Sequence, residues 1–178
     1  MVNFKPTVFA EGELVYTDGG FLAEYAWLLV VLPFVAALVI TFVGKYLPLK
    51  GAEVALATIG IIFLYSVALM YLHITSGVVN EFFINVGSIG AFDIEFGWVV
   101  DGLSIMMYFV VGTVALLVFI YATNYMEGEI RYTFFFTSLT LFAGSMLVLV
   151  SSPTLIQILI GWELVGVCSY LLIGHYWE

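Results

Sequence analysis

Long apolar runs separated by short polar segments make up most of the chain. The runs cover residues 21–43, 53–73, 101–122, 132–150 and 153–174. Each is longer than the roughly 18 residues that distinguish a membrane-spanning helix from a buried core helix. We therefore predict an all-α integral membrane protein in which residues 21–178 form a region of about five transmembrane helices. Residues 1–20 are polar and acidic, and we expect them to form a lead outside the membrane.

The segment 74–100, between the second and third spans, has a different pattern. In residues 92–98 four apolar side chains alternate with polar residues or Gly, which is the period of a β-strand. A shorter apolar pair, Ile84 and Val86, precedes a predicted turn at 87–90. The pattern predicts a short β-hairpin. It should lean on helices or on a partner subunit, because an isolated hairpin is only marginally stable in water.

Two local signals organise the loops between the spans. Ser151-Ser152-Pro153 predicts a tight turn between the last two spans, with Ser152 as a cap and Pro153 at the first helical position. Lys45, Lys50 and Arg131 follow the first and third spans, which indicates that both loops face the cytoplasm. We therefore expect the N-terminus and the hairpin outside, and the C-terminal end inside, the cell membrane of a prokaryote.

The composition agrees with this reading and excludes several classes of protein. The 178 residues are 63% hydrophobic and only 10% charged, and the 4 basic against 13 acidic residues give a net charge of −9. A disordered chain would have few aromatic residues and low hydrophobicity. A soluble globule would carry about 25% charged residues. A nucleic-acid-binding protein would need a basic face, so no nucleic-acid partner is expected.

Glu163 is the one acid that lies deep inside an apolar run. It is about ten residues from Pro153 and eleven from Gly174, or roughly 15 Å from either end of a helix. A charge near the bilayer centre costs about 2.5–3.5 kcal/mol on insertion scales, and such residues usually mark proton or ion paths. We predict Glu163 to be a proton relay. The alternative is a structural carboxyl that is hydrogen-bonded between helices.

Two further residues are candidates for the same path. Tyr170 lies seven residues after Glu163 on one helical face and would offer a hydroxyl as a relay or a water contact. Asp101 opens the third span and could form the outer mouth of a proton path. A helix N-terminal acid that is favoured by the helix dipole is an equally good interpretation of Asp101.

These residues lie within motifs that resemble a known family. Residues 161–174, GWELVGVCSYLLIG, resemble the fifth-helix motif of the large antiporter-like subunit of respiratory complex I, subunit L of NADH-quinone oxidoreductase. Two shorter blocks, Val100–Ser104 and Asn124–Glu129, agree in order and spacing. The likeness runs from about the first span to the last residue and covers the N-terminal part of the family's subunit.

The resemblance implies a proton-pumping role in a multisubunit NADH:quinone oxidoreductase. In the family, the glutamate that matches Glu163 lies on a central polar axis of the membrane and pairs with a lysine on the seventh helix. The resemblance implies no redox site, cofactor or metal in this chain, with NAD, FMN, iron–sulfur clusters and quinone in partner subunits. The expected partners are the other membrane-arm subunits and the lipid bilayer.

The chain departs from the family pattern in places, and related families share the fifth-helix motif, so alternatives stay open. The family's subunit is several hundred residues long, and its lysine lies beyond the five spans predicted here. Phe134 stands where the family usually has an Arg, with Arg131 nearby. The alternatives are the large subunit of a multisubunit cation/proton antiporter, a subunit of a deazaflavin-dependent dehydrogenase complex, or a non-transporting fragment or split chain. The sequence leaves the electron donor and the choice between proton and sodium undecided.

Overall fold

The computed structural model describes residues 20–77, 79–89 and 92–176, so nearly all of the predicted polar lead lies outside the described residues. The described residues form six α-helices and one two-stranded sheet: α1 Gly20–Glu24, α2 Trp27–Val43, α3 Ala52–Ser76, β1 Asn80–Ile89, β2 Phe92–Val100, α4 Gly102–Tyr125, α5 Tyr132–Ser151 and α6 Leu155–Ile173. The five helices α2–α6 are long and apolar enough to cross a membrane. The prediction of an all-α membrane protein with five spans and a hairpin between the second and third is confirmed.

Helix α5 lies at the centre of the helix arrangement. It packs against α2 on one side and α6 on the other, while α3 joins α2 to α4. Small residues allow the close approach of α5 to its neighbours: Ser138 and Ser145 are buried, and the Gly144 backbone faces Pro33 and Phe34. The core combines small and unbranched apolar side chains with aromatic and β-branched ones, which include Ile40, Ile59, Tyr108, Phe119 and Phe136.

Helix α6 is held mainly along one side. Gln157, Gly161 and Cys168 are its buried residues, whereas most of its other side chains are exposed. The helix begins two residues later than the sequence pattern suggests, because Thr154 and not Ser152 is the N-cap and accepts a hydrogen bond from the Gln157 backbone N–H. Pro153 therefore lies in the turn before the cap and not at the first helical position.

The hairpin is longer than predicted. Its strands pair antiparallel from Asn80 opposite Val100 to Ile89 opposite Phe92, with a bulge between Asn85 and Gly87. The predicted turn at 87–90 is therefore wrong for residues 87–89, which continue β1. Past the bulge, residues 87–89 pair with residues 92–94, and this pairing extends β1 to Ile89.

We name the two ends of the helix bundle by their residues. The hairpin end carries the sheet together with the starts of α4 and α6. The basic end carries Lys45, Lys50 and Arg131, which lie in the connections α2–α3 and α4–α5. Since α4 runs from the hairpin end to the basic end and α5 returns, α6 begins beside the hairpin.

Candidate functional site

Glu163 lies near the middle of α6 and is exposed. Eight residues separate it from Leu155 and ten from Ile173, which correspond to roughly 12 and 15 Å along the helix. A carboxyl at this depth of a membrane-spanning helix lies far from water at either surface of a ~30 Å hydrocarbon layer. The local geometry therefore retains the feature that singled out Glu163 in the sequence.

The side chains that share a helical face with Glu163 are exposed too. Ile156, Leu159 and Tyr170 have 45%, 60% and 76% of their surface exposed, and Gly166 is exposed as well. We call Ile156, Leu159, Glu163, Gly166 and Tyr170 the Glu163 face. This face is apolar apart from the carboxyl and the tyrosine hydroxyl, and no other described element covers it.

The opposite side of α6 sets the rotation of the helix. Gly161 approaches α5 so closely that a Cβ at this position would lie 2.9 Å from the Leu149 Cα atom. Seven residues later, the Cys168 Sγ atom lies 3.8 Å from the Ser145 Oγ atom. These two contacts turn the Glu163 face away from the bundle.

Tyr170 lies on the Glu163 face but not in contact range of the carboxyl. Seven residues along a helix correspond to about 10 Å, so a proton could pass between the two side chains only through water or another group. At the basic end, Tyr170 lines a cleft of about 260 Å³ together with Arg131, Phe134, Leu171 and Gly174. Arg131, the only basic side chain of the connection between α4 and α5, thus borders the same cleft as Tyr170.

Asp101 is the N-cap of α4 at the hairpin end. Its Oδ1 atom accepts a hydrogen bond from the Ser104 backbone N–H at 2.7 Å. This contact satisfies one of the backbone donors that the first turn of a helix leaves without an intrahelical partner. The capping contact accounts for an acid at this position, and the role of Asp101 at the mouth of a proton path stays a prediction.

The sequence interpretation missed Gln157, the residue that ties α6 to the hairpin. Its side-chain Oε1 accepts from the Gly97 backbone N–H at 2.9 Å, and its Nε2 donates to the Gly97 carbonyl oxygen at 2.8 Å. Gln157 is 6% exposed and lies within an otherwise apolar turn of α6. An uncharged polar residue inside an apolar run was the signal, because a buried amide requires hydrogen-bond partners.

Two more side chains complete the docking of β2. Thr154 donates its hydroxyl to the Glu95 carbonyl oxygen at 3.2 Å, and Tyr108 of α4 donates to the Val99 carbonyl oxygen at 3.0 Å. The backbone groups of residues 95, 97 and 99, every second residue of β2, bind these helix side chains along one edge of the strand. Helix side chains therefore occupy the edge that a third strand would otherwise pair with.

Comparison with known proteins agrees with the motifs in the helices. Residues 86–136 match the family described as NADH-Ubiquinone oxidoreductase (complex I), chain 5 N-terminus. The chain is similar to chain 5 of NAD(P)H-quinone oxidoreductases. It is 40% identical over 165 residues to that protein of Picosynechococcus sp., which covers 88% of this chain and 25% of the relative.

Two further relatives give the same picture. Chain 5 from Synechocystis sp. is 41% identical over 164 residues, which is 88% of this chain and 24% of the relative. The chloroplastic subunit 5 of Cryptomeria japonica is 41% identical over 164 residues, or 88% of this chain and 22% of the relative. The chain thus spans about a quarter of the length of the curated relatives it matches. The five apolar helices and this similarity indicate a multi-pass membrane protein.

Proposed function

We propose that the chain is the N-terminal portion of a proton-translocating membrane subunit of an NADH:quinone oxidoreductase, with Glu163 as a proton relay. The observation that carries the proposal is the carboxyl in the middle of a membrane-spanning helix, on a face that no described element covers. The similarity to chain 5 of NAD(P)H-quinone oxidoreductases over 88% of the chain supports the identity of the complex.

Electrostatics explains why such a carboxyl can switch. An ionised Glu near the bilayer centre is costly unless a cation or hydrogen-bond donors accompany it. Helices α2–α6 contain no Lys or Arg, so the charge partner of Glu163 belongs to a part of the subunit or complex outside these helices. Approach of that cation favours the carboxylate, and its withdrawal favours the protonated acid. Each cycle of approach and withdrawal would release and recapture one proton.

Tyr170 would extend the path toward the basic end. Its hydroxyl can both donate and accept a hydrogen bond, so it can order a water chain between Glu163 and the cleft beside Arg131. The basic end would then face the cytoplasm and the hairpin end the outside of a prokaryotic cell membrane. This orientation follows from the basic loops.

The electron-transfer chemistry would lie in partner subunits. These subunits would bind NAD, FMN, iron–sulfur clusters and quinone, and this chain would pack among the other membrane-arm subunits in the lipid bilayer. The relatives carry the name of quinone oxidoreductases, which favours this function over a cation/proton antiporter. The same names leave the electron donor, NADH or NADPH, to be measured.

Glu163→Gln in the intact complex tests the proposal. The amide keeps the size of the side chain but cannot release a proton at neutral pH. We expect proton uptake into inverted membrane vesicles, driven by NADH or NADPH with a quinone, to fall by on the order of 100-fold. The matched control is Glu24→Gln, since Glu24 is an exposed acid outside the five spans and should be silent. Wild-type proton uptake by an assembled Glu163→Gln complex would refute the relay.

A further inference from the structure

Among the described residues, Gln157 of α6 contacts the hairpin with both a donor and an acceptor of its side chain. Its amide binds the N–H and the C=O of Gly97 at the same time, as a neighbouring strand would. Thr154 and Tyr108 each bind a single carbonyl oxygen of β2. A two-point contact fixes direction as well as distance, so Gln157 restricts how the start of α6 can turn relative to β2.

Gly97, the partner of Gln157, lies where the hairpin leaves no room for a side chain. A Cβ at position 97 would collide with the Phe82 carbonyl oxygen and would lie 3.2 Å from the Pro153 Cγ atom. Gly97 itself is buried between β1 and the turn that precedes α6. Only glycine at position 97 allows β2 to approach the Phe82 carbonyl of β1 this closely. The amide of Gln157 binds the backbone at the same position.

The remaining attachments of α6 lie on the same side as Gln157. Gly161 follows one turn later and touches the backbone of α5 at Leu149. Cys168, seven residues further on, lies beside Ser145 of the same helix. These α5 contacts hold the middle and the later part of α6, whereas the Gln157–Gly97 contact, about 6 Å from Gly161 towards the hairpin end, opposes tilt and roll of the first turns.

The position of Glu163 depends on this restraint. At 3.6 residues per turn, the six residues from Gln157 to Glu163 leave the two side chains about 120° apart around the helix. With Gln157 fixed on the hairpin, Glu163 points away from the bundle, where the structure leaves it exposed. A roll of α6 would change the direction of the carboxyl and its distance from any group that faces it.

We infer that Gln157 is a positioning residue for proton transfer, because its clamp on Gly97 completes the set of contacts, with those of Gly161 and Cys168 on α5, that fix the rotation of α6 and present Glu163 to its partner. The inference rests on the proposed function of Glu163. In this proposal the hairpin takes part in proton transfer indirectly, because β2 holds the helix that carries Glu163.

The test measures the state of Glu163 directly in the intact complex. A hydrophobic carbodiimide reacts with protonated carboxyls inside membranes, and mass spectrometry of the peptide that contains Glu163 gives the labelling rate. If Gln157→Leu lets α6 roll, Glu163 loses its cation more often and stays protonated for longer. We expect severalfold faster labelling of Glu163 together with a severalfold loss of coupled proton uptake. Labelling of Glu53, in the first turn of α3 at the basic end of the bundle, serves as the internal standard.

A conservative variant separates positioning from general damage. In Gln157→Glu the introduced carboxyl can make both hydrogen bonds to Gly97 while it is protonated, but it loses the donor when it ionises. The labelling rate of Glu163 relative to wild type should therefore stay near one at acidic pH and rise with increasing pH. This variant also provides the answer if Gln157→Leu fails to assemble. Leu155→Val, on an exposed position of the same turn, should match wild type throughout.

The outcomes distinguish the two proposals. Wild-type labelling and proton uptake in assembled Gln157→Leu and in Gln157→Glu at alkaline pH would overturn the positioning role. Wild-type uptake in Glu163→Gln would instead overturn the relay itself. In that case the labelling rates of the Gln157 variants still report whether the clamp controls the rotation of α6, because they are measured with Glu163 present.

Discussion

The two glycines on opposite sides of α6 provide a matched test of how this helix packs. A Cβ at Gly161 would lie 2.9 Å from the Leu149 Cα atom and 3.0 Å from its backbone nitrogen. A Cβ at Gly166 would meet nothing within 4 Å. Gly161→Ala and Gly166→Ala add the same methyl group to the same helix. The first forces it against a backbone of α5 that cannot rotate away, while the second points it away from α5.

The magnitude follows from the contact that must be relieved. An ordinary Cβ contact begins near 3.4 Å, so α5 and α6 must separate by about 0.5 Å to admit Gly161→Ala. Overpacking of this kind costs about 1–3 kcal/mol. Replacing Gly by Ala inside a helix returns up to about 1 kcal/mol, but this gain is common to both variants and cancels in their difference. The two variants should therefore differ by about 1–3 kcal/mol in the packing of α6 on α5.

Cys168 gives an assay for that packing. It is the only cysteine of the chain and is 5% exposed, with its Sγ atom beside Ser145 of α5. A membrane-permeant thiol reagent reaches it when α6 separates from α5. Since 1.4 kcal/mol corresponds to a factor of ten, Gly161→Ala should speed Cys168 labelling about 5- to 150-fold over Gly166→Ala in the assembled complex. Equal labelling rates in the two variants would refute the close α5–α6 crossing at Gly161.

Two further predictions concern the hairpin end. Asp101→Ala removes the cap of α4 and should lower the stability of the complex by about 0.5–2 kcal/mol in thermal denaturation, whereas Asp101→Asn keeps a capping oxygen and should cost little. Reduced proton uptake in a stable Asp101→Asn complex would contradict a purely capping role. Tyr108→Phe removes the donor to the Val99 carbonyl oxygen and should cost about 1 kcal/mol, while Tyr121→Phe, at a position that is 66% exposed, should be neutral in the same measurement.

The five spans and the hairpin could be predicted from the sequence because their signals are long and periodic. The apolar runs exceed the length of a membrane crossing, and residues 92–98 alternate as a strand does. The turn of the hairpin was misplaced because glycine at position 87 and serine at position 88 are typical turn residues. Pairing with β2 overrides that local preference.

The positions of the candidate site residues along α6 could be predicted from the sequence. The contacts that hold the helix could not. Helical spacing places Glu163 and Tyr170 on one face, and their positions on α6 follow from the sequence alone. The contact from Gln157 to Gly97 joins residues 60 positions apart, and no periodic pattern encodes such a pairing. Its only trace in the sequence is a glutamine within an apolar run and a glycine inside a strand, each of which requires a reason.

The exposure of α6 and the cost of its carboxyl lead to the same conclusion about how the proposed relay would be completed. On insertion scales each Leu, Ile or Val at the centre of a span returns only about 0.3–0.6 kcal/mol, against about 2.5–3.5 kcal/mol for the ionised Glu. Several such side chains are therefore needed to offset one charge, and α6 does not shield Glu163 by packing against the described helices. In the proposed relay, a cation from a surface that fits the Glu163 face would accompany the charge. The small residue at Gly166 and the hydroxyl of Tyr170 leave room and a hydrogen-bonding group for that surface and its water. A face that is stable only when protonated or when matched by a cation is the property a proton relay needs.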